Sequence, residues 1–253
     1  MINRSRFVHR LSSFGLSLTL LLMPQVLPIQ PPPAAAFSVP NLRQTWENLW
    51  GRLLASEPPV PPSNGGGRGA TFCVISPLET AAPATEMARV LSDRPTLTWI
   101  GEAGTLEVHQ PDQETALWQG RVSDGDRKGT VVLDANSNAA LNIYQVAVPK
   151  RLEAGQAYTW WVSPSQVQAR QISFQVVTAA ERDRLMQALQ TLNQQLAAEG
   201  VTGEKATLRR ADFYAQQQLW AEFWREVLAV PHPSAELTQL IDQSFRVFCS
   251  GEQ

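Results

Sequence analysis

The chain has 253 residues, of which 43% are hydrophobic and 17% charged, with 18 Pro and 15 Gly. This balance excludes wholesale disorder and is typical of a folded protein with some non-globular segments. The first 36 residues carry three arginines and no acid, so the remainder has 18 basic and 23 acidic residues, a net charge of −5. That charge argues against a nucleic-acid-binding protein. Two cysteines are too few for a cysteine-rich zinc module or a disulfide-dense miniprotein.

The N-terminus has the three parts of a secretory signal peptide. A basic segment, Met1–Arg10, precedes a 13-residue apolar run, Leu11–Met23, and small residues suited to signal peptidase follow at Ala34–Ala36. The alternative is an uncleaved membrane anchor, but 13 helical residues span only about 20 Å, against about 30 Å of hydrocarbon. We therefore predict a signal peptide over residues 1–36, export to a periplasmic or extracellular location, and membrane attachment only if this segment is not cleaved.

Residues 37–68 are predicted to hold a short amphipathic helix and a linker. Leu42, Trp46, Leu49 and Leu53 recur at helical spacing. The polar face has too little basic charge to favour a membrane surface, so we expect docking on the protein body or partial disorder. The following segment is rich in proline and glycine between Pro58 and Gly67, which is typical of a linker.

Residues 69–178 show short alternating runs rich in Val, Thr, Trp and Tyr, separated by Gly, Asp and Asn turns. This count and spacing predict an antiparallel β-sandwich of the immunoglobulin or fibronectin type III kind. We predict strands at 70–75, 96–101, 104–110, 116–122, 130–133, 141–148, 156–163 and 170–177.

The segment Leu152–Trp160 resembles the tyrosine corner of immunoglobulin-like domains, in which a buried Tyr hydroxyl bonds the backbone a few residues upstream. Strand alternation then divides the neighbouring side chains between two faces. Thr159 and Trp161 are predicted to point outward. The side chains predicted to point into the core are Leu97, Trp99, Tyr158, Trp160, Val162, Ile172, Phe174 and Val176.

Residues 179–250 are predicted to be helical. Thr178 and Glu181 have capping-box spacing, and Gly200 stands where a C-terminal cap belongs. The first helix carries an apolar stripe of Leu185, Leu189, Leu192 and Leu196. Further helices are predicted at 204–217, 219–229 and 235–248, the last with Ser234 as its N-cap. The stretch from Ala211 to Pro231 resembles one tetratricopeptide helical hairpin. The predicted class is therefore α+β, with a sandwich domain and a helical domain.

The order of these features resembles an exported cyanobacterial family catalogued as domain of unknown function 928. The features are a glycine-rich lead, Cys73, the run Arg94–Trp99, the segment Leu152–Trp160 and the aromatic helical tail, over roughly residues 65–250. The resemblance implies export and a two-part architecture but brings no established activity. A second cysteine often lies near the Tyr-x-Trp strand in that family, whereas this chain has Ser163-Pro164-Ser165 there.

The sequence lacks a recognisable catalytic set. Beyond the signal segment there are two histidines, His109 on a predicted strand and His232 between prolines, and no Gly-x-Ser-x-Gly motif. Glu102, Glu107 and Glu114 could supply a glycosidase pair, but nothing in the sequence places two of them about 5 to 9 Å apart. Asp124–Asp126 fits a hairpin turn better than a calcium loop, and Gly65–Gly69 fits a linker better than a phosphate loop. We therefore expect no enzyme, no cofactor and no metal.

Four tryptophans are candidates for a binding surface. They are Trp118, Trp161, Trp220 and Trp224. Large aromatics in sandwiches and helical hairpins are mostly core residues. The solvent exposure of Trp118 and Trp161 therefore decides whether these two rings can bind a ligand. The first functional hypothesis is an exported accessory protein that binds or scaffolds another envelope protein through its helical hairpins. The alternative is a carbohydrate-binding module that uses exposed aromatics, and a lower-ranked third is an enzyme of unknown type.

The two cysteines leave two alternatives open. A Cys73–Cys249 disulfide would join the first strand to the end of the helical tail, provided that the Cα atoms lie within about 7 Å. Because terminal segments are often poorly ordered, we expect instead a buried thiol at Cys73 and a loose thiol at Cys249.

Overall fold

Two β-sheets form the first part of the protein. The structure, a computed structural model, describes residues 44, 46–48, 72–77, 87–102, 104–111, 113–133, 140–164 and 169–250, all within the unit Pro40–Gln253. The predicted signal peptide therefore lies outside the described residues. In chain order the strands are β1 (Cys73–Ser76), β2 (Ala88–Val90), β3 (Thr96–Gly101), β4 (Gly104–His109), β5 (Trp118–Arg121), β6 (Arg127–Val132), β7 (Ala140–Ala147), β8 (Ala157–Pro164) and β9 (Arg170–Val176).

One sheet has four strands in the order β1-β3-β7-β6, and the other has five in the order β2-β9-β8-β4-β5. All pairings are antiparallel except β2 with β9, which is parallel. Each of the eight predicted strands is present, within a few residues at its ends. The strand β2 was not predicted, because three residues are too few to show a period of two.

The inward alternation predicted for the sandwich is confirmed. All eight predicted side chains are at most 5% exposed and belong to one cluster between the two sheets. The Tyr158 hydroxyl accepts a 2.8 Å hydrogen bond from the backbone N–H of Glu153, five residues upstream. Gly155 occupies the turn between them with φ of +78°, a conformation that favours glycine. The hydroxyl thus satisfies a backbone donor at the corner that leads into β8.

Four helices follow the sandwich: α1 (Ala179–Ala198), α2 (Gly203–Gln216), α3 (Trp220–Leu228) and α4 (Ala235–Ser250). The Thr178 hydroxyl caps α1 by accepting from the backbone N–H of Glu181, as the spacing predicted. The Ser234 hydroxyl accepts from the backbone N–H of Leu237 and so caps α4. No helix among the described residues is long and apolar enough to cross a membrane.

The helices cover the outer face of the four-stranded sheet. Ile100 and Ile143 point away from the sandwich core and share a second hydrophobic cluster with Tyr214, Phe223 and Trp224 of the helices. The described part of the chain is therefore a mixed α+β protein with three layers: the five-stranded sheet, the four-stranded sheet and the helices. The predicted domain boundary at residue 178 marks the change from strand to helix, but the two parts share this cluster.

The Sγ atoms of Cys73 and Cys249 are bonded, with the Cα atoms 5.7 Å apart. The structure thus differs from the expectation of a loose thiol at Cys249. Cys249 is 8% exposed and lies in the last turn of the helix α4, so the bond holds this end of the helix in place. The bond fastens the end of α4 to the edge strand β1.

The N-terminal helix predicted around Trp46 docks on the helical layer. Residues 44 and 46–48 are helical, and Trp46 is 3% exposed. Its ring lies 6.0 Å from the ring of Phe223 and 6.4 Å from that of Trp224. Leu42, Leu49 and Leu53 lie outside the described residues.

Candidate functional site

The two helical tryptophans do not form an open surface. Trp224 is 1% exposed and packs against Phe245 at a ring distance of 4.7 Å. Trp220 is half-buried and meets Phe223 edge-on at 5.6 Å. Both belong to the contacts between the helices and the four-stranded sheet. Trp224 is therefore a core residue, and Trp220 packs at the margin of that core.

The two sandwich tryptophans lie on opposite faces of the five-stranded sheet. Trp118 pairs with Val108, whose side chain points into the core, so Trp118 also faces inward at the sheet edge. Its indole lies across Gly120, where a Cβ atom would collide with the ring. Trp161 follows the fully buried Trp160 and so points outward, where it is half-buried. A shared platform of Trp118 and Trp161 is therefore excluded by their orientation.

The outward-pointing side chains around Trp161 form the best candidate site. Gln119, Glu107, Trp161 and Gln171 are cross-strand partners on β5, β4, β8 and β9, so they lie in one row across the sheet. With strands about 4.8 Å apart, this row is about 14 Å long. We call the surface the Trp161 face; its described side chains are Thr105, Glu107, His109, Gln119, Arg121, Thr159, Trp161, Ser163 and Gln171.

Hydrogen bonds hold the polar groups of this face in position. The Glu107 carboxylate contacts His109 Nε2 at 2.9 Å through one oxygen and accepts from Gln119 Nε2 at 2.9 Å through the other. The second ring nitrogen of His109, Nδ1, lies 3.3 Å from the Gln113 carbonyl. The imidazole also meets the indole of Trp161 edge-on, with ring centroids 6.3 Å apart. The contact between Glu107 and His109 was not predicted from the sequence, although residues two positions apart on one strand share a face.

The Trp161 face carries few charged side chains. Glu107 is in contact with His109, whose side chain is only 14% exposed. At the edge of the same sheet Arg89 is paired with Glu181 of α1. Arg121 is exposed at the other side of the face. The surface therefore offers mainly amides and hydroxyls around one indole.

The described residues contain no group of three or more metal-ligating side chains. Asp126 accepts hydrogen bonds from the backbone N–H and the hydroxyl of Ser123, at 2.8 and 2.7 Å. Its carboxylate thus caps the short 3₁₀ turn Asp124–Asp126. The prediction of a hairpin turn is wrong, because β5 belongs to the five-stranded sheet and β6 to the four-stranded sheet, so the turn leads from one sheet to the other. His232 is exposed and far along the chain from the Trp161 face, on the connection between α3 and α4.

A second surface feature is a shallow depression of about 690 Å³ along α4. Burial raises the pKa of Asp242 in its wall, and nearby Arg246 opposes that shift. The described lining comes from one helix: Ala235, Thr238, Gln239, Asp242, Gln243 and Arg246. A single helix stripe brings together fewer converging groups than the four strands of the Trp161 face.

A buried carboxyl group that sequence analysis missed joins the helices to β2. Glu222 of α3 is 2% exposed, and its Oε1 accepts from the backbone N–H groups of Leu91 and Ser92 at 2.8 and 3.0 Å. Its Oε2 has no hydrogen-bond partner among the described residues, and burial raises the pKa of the carboxyl. The only feature of the sequence that could have indicated this buried carboxyl is an acidic residue within a largely apolar helix. Glu222 holds the end of β2 in place and has a structural role.

Comparisons with known proteins agree with the resemblance noted in the sequence. The family model described as Domain of Unknown Function (DUF928) matches residues 63–244, most of the chain, so the protein belongs to that family. No curated protein and no solved structure matches it.

Proposed function

We propose that this member of the family is an exported accessory protein that works by binding rather than by catalysis, and that the Trp161 face is its binding surface. One observation carries the proposal: the two outer faces of the sandwich differ. The helices cover the outer face of the four-stranded sheet, whereas the five-stranded sheet presents ordered polar groups around a half-buried indole. Ordered polar groups beside an aromatic ring are typical of ligand sites.

The proposal treats the sandwich as immunoglobulin-like. The four-stranded order β1-β3-β7-β6 corresponds to strands A, B, E and D of that fold, and the five-stranded order to an A′ strand followed by G, F, C and C′. The hydrogen bond between Tyr158 and Glu153 matches the tyrosine corner at the start of strand F. On this assignment the Trp161 face belongs to the sheet that variable immunoglobulin domains extend.

The helical hairpins are a weaker basis for binding than the sequence predicted. Of the five aromatic residues between Ala211 and Pro231, Tyr214, Phe223 and Trp224 are at most 2% exposed and pack toward the four-stranded sheet. The other two, Phe213 and Trp220, are half-buried against the same cluster. Their apolar surface is used inside the protein. A protein partner would therefore contact the Trp161 face rather than a concave helical groove. For this reason we do not propose scaffolding by the helices as the function.

Export is supported by two independent features. The N-terminal sequence resembles a signal peptide, and the bond between Cys73 and Cys249 is of a kind that persists in oxidising compartments. The proposal therefore places the protein in the periplasm or outside the cell. A cyanobacterial source remains a prediction from the resemblance.

Site-specific photo-crosslinking tests the proposal. A photoreactive benzoylphenylalanine replaces Gln171, which is exposed in the row beside Trp161, and in a matched control it replaces Met186, which is 50% exposed on α1. Both proteins are exposed to the envelope fraction of the source cells. We expect covalent adducts at position 171 and not at 186. Equal labelling at both positions, or adducts at 186 alone, would contradict the proposal.

A further inference from the structure

The row of side chains across the Trp161 face has the chemistry of a site for hydroxyl-rich ligands. Gln119, Glu107 and Gln171 offer amide donors and carbonyl or carboxylate acceptors at successive strand spacings. The apolar surface of the Trp161 ring lies within this row. A sugar ring needs both kinds of contact, because it has one face of C–H groups and a rim of hydroxyl groups.

The polar groups of the site are already oriented before a ligand arrives. Glu107 is held from two sides by His109 and Gln119, and the His109 ring is in T-shaped contact with the ring of Trp161. The Glu107 side chain remains 35% exposed, so its oxygens can accept further hydrogen bonds. Side chains that are ordered in advance lose less conformational entropy on binding.

The charge distribution favours an uncharged ligand. An anionic polymer would need several Arg or Lys side chains that converge on it. On the described part of the Trp161 face the basic groups are Arg121 at one side and His109, which is engaged with Glu107. The central row carries one carboxylate, that of Glu107, which is in contact with His109 and Gln119.

The same composition argues against a protein partner. The buried centre of a protein interface is apolar and is rich in aromatic residues, Met and Arg. Here one indole stands among side chains that are polar or charged: Thr105, Glu107, His109, Gln119, Arg121, Thr159, Ser163 and Gln171. Such a face suits a ligand that exchanges many hydrogen bonds with water for hydrogen bonds with the protein.

We infer that the Trp161 face binds a neutral oligosaccharide or polysaccharide chain, with one sugar ring stacked on Trp161 and neighbouring hydroxyl groups bound by Glu107, Gln119 and Gln171. This inference rests on the proposed function, because it names the ligand of the same surface. The direction of the row, across β5, β4, β8 and β9, gives the direction of the bound chain.

Isothermal titration calorimetry of the full exported chain tests the inference. The probes are neutral β-1,4-linked hexasaccharides of glucose, xylose, mannose and N-acetylglucosamine, with polygalacturonate as the anionic counterpart. At least one neutral hexasaccharide should bind and polygalacturonate should not. Trp161→Ala should weaken binding at least about tenfold. The control Trp118→Phe alters an indole on the opposite face of the same sheet and should leave the affinity unchanged.

Gln171→Ala is a second variant that removes one exposed amide, and it should weaken binding severalfold even if Trp161→Ala does not fold. Binding that survives both substitutions would overturn the inference, as would preferential binding of polygalacturonate. If no hexasaccharide binds while photo-crosslinking at position 171 captures a protein, the carbohydrate inference fails and the proposed binding surface stands. If no hexasaccharide binds and photo-crosslinking at position 171 yields no adduct, both the carbohydrate inference and the proposed binding surface are wrong.

Discussion

The indole Nε1 of Trp46 donates a 3.0 Å hydrogen bond to the hydroxyl of Ser244, which lies 198 positions further along the chain. Ser244 in turn donates to the carbonyl of Leu240 at 2.7 Å, so its oxygen is oriented to accept from the indole. Five residues after Ser244, Cys249 is bonded to Cys73. The segments that carry Trp46 and Cys73 thus both contact α4, at positions that lie about one and a half helical turns apart.

The first prediction concerns this contact. Trp46→Ala should lower the free energy of unfolding by about 3 to 5 kcal/mol, because it empties a large buried aromatic site. Ser244→Ala should cost about 1 to 3 kcal/mol, because it leaves the buried indole N–H of Trp46 without its acceptor. Denaturant unfolding measures both. An unchanged midpoint for Trp46→Ala would mean that the N-terminal segment does not dock on α4.

The disulfide gives the second prediction. Replacing Cys73 and Cys249 together by serine should destabilise the protein by about 2 to 5 kcal/mol, since the bond closes a loop of 176 residues in the unfolded chain. Thiol titration of the denatured, unreduced protein should detect no free thiol, and the mass should be that of a monomer. Two free thiols per chain would contradict the bond.

The two adjacent tryptophans of β8 provide a matched pair for the third prediction. Trp160 is fully buried between the sheets, and Trp160→Ala should cost about 3 to 5 kcal/mol. Trp161→Ala removes a half-buried ring from the opposite face and should cost about 1 kcal/mol or less. The melting temperatures of the two variants test which substitution destabilises the protein more. The reverse ranking would mean that the strand is shifted by one residue.

The fourth prediction is a pH dependence that Glu222 causes. Burial raises the pKa of this carboxyl above its ordinary value, so the folded protein retains the proton more strongly than the unfolded chain. The contribution of Glu222 to stability is therefore fully present below its unfolded pKa and is lost as the pH rises toward its folded pKa. The change amounts to about 1.4 kcal/mol per pH unit between the two values.

Glu222→Gln retains a carbonyl oxygen to accept from Leu91 and Ser92 but cannot ionise. The stability of this variant relative to the wild type should therefore increase as the pH rises from about 4.5. Unfolding curves at several pH values measure the difference. A difference that is the same at low and neutral pH would contradict the assignment.

The fifth prediction concerns the N-terminus. If residues 1–36 are a signal peptide, the exported protein starts near Phe37. Intact-mass analysis of the protein from its natural host checks this. A mass that includes Met1 would favour the uncleaved anchor and attachment to a membrane.

The sequence by itself determined most of the local structure, because alternation and capping act over a few residues. The period of two in β8 placed Tyr158 and Trp160 inward and Trp161 outward, and the Thr178 cap marked the start of α1. The strand β2 was not predicted, because pairing with the distant strand β9 holds its three residues and Glu222 holds the two residues that follow it.

The tertiary structure alone decided which distant residues meet. The stacking of the helices on the four-stranded sheet brings Cys249 to Cys73 and Ser244 to Trp46, and it buries Trp224 instead of exposing it. Strand order likewise places Trp161 of β8 beside Glu107 and His109 of β4. Contacts between distant residues depend on how whole layers pack. The apolar period of one helix or strand indicates which of its sides is buried, but not which other element covers that side.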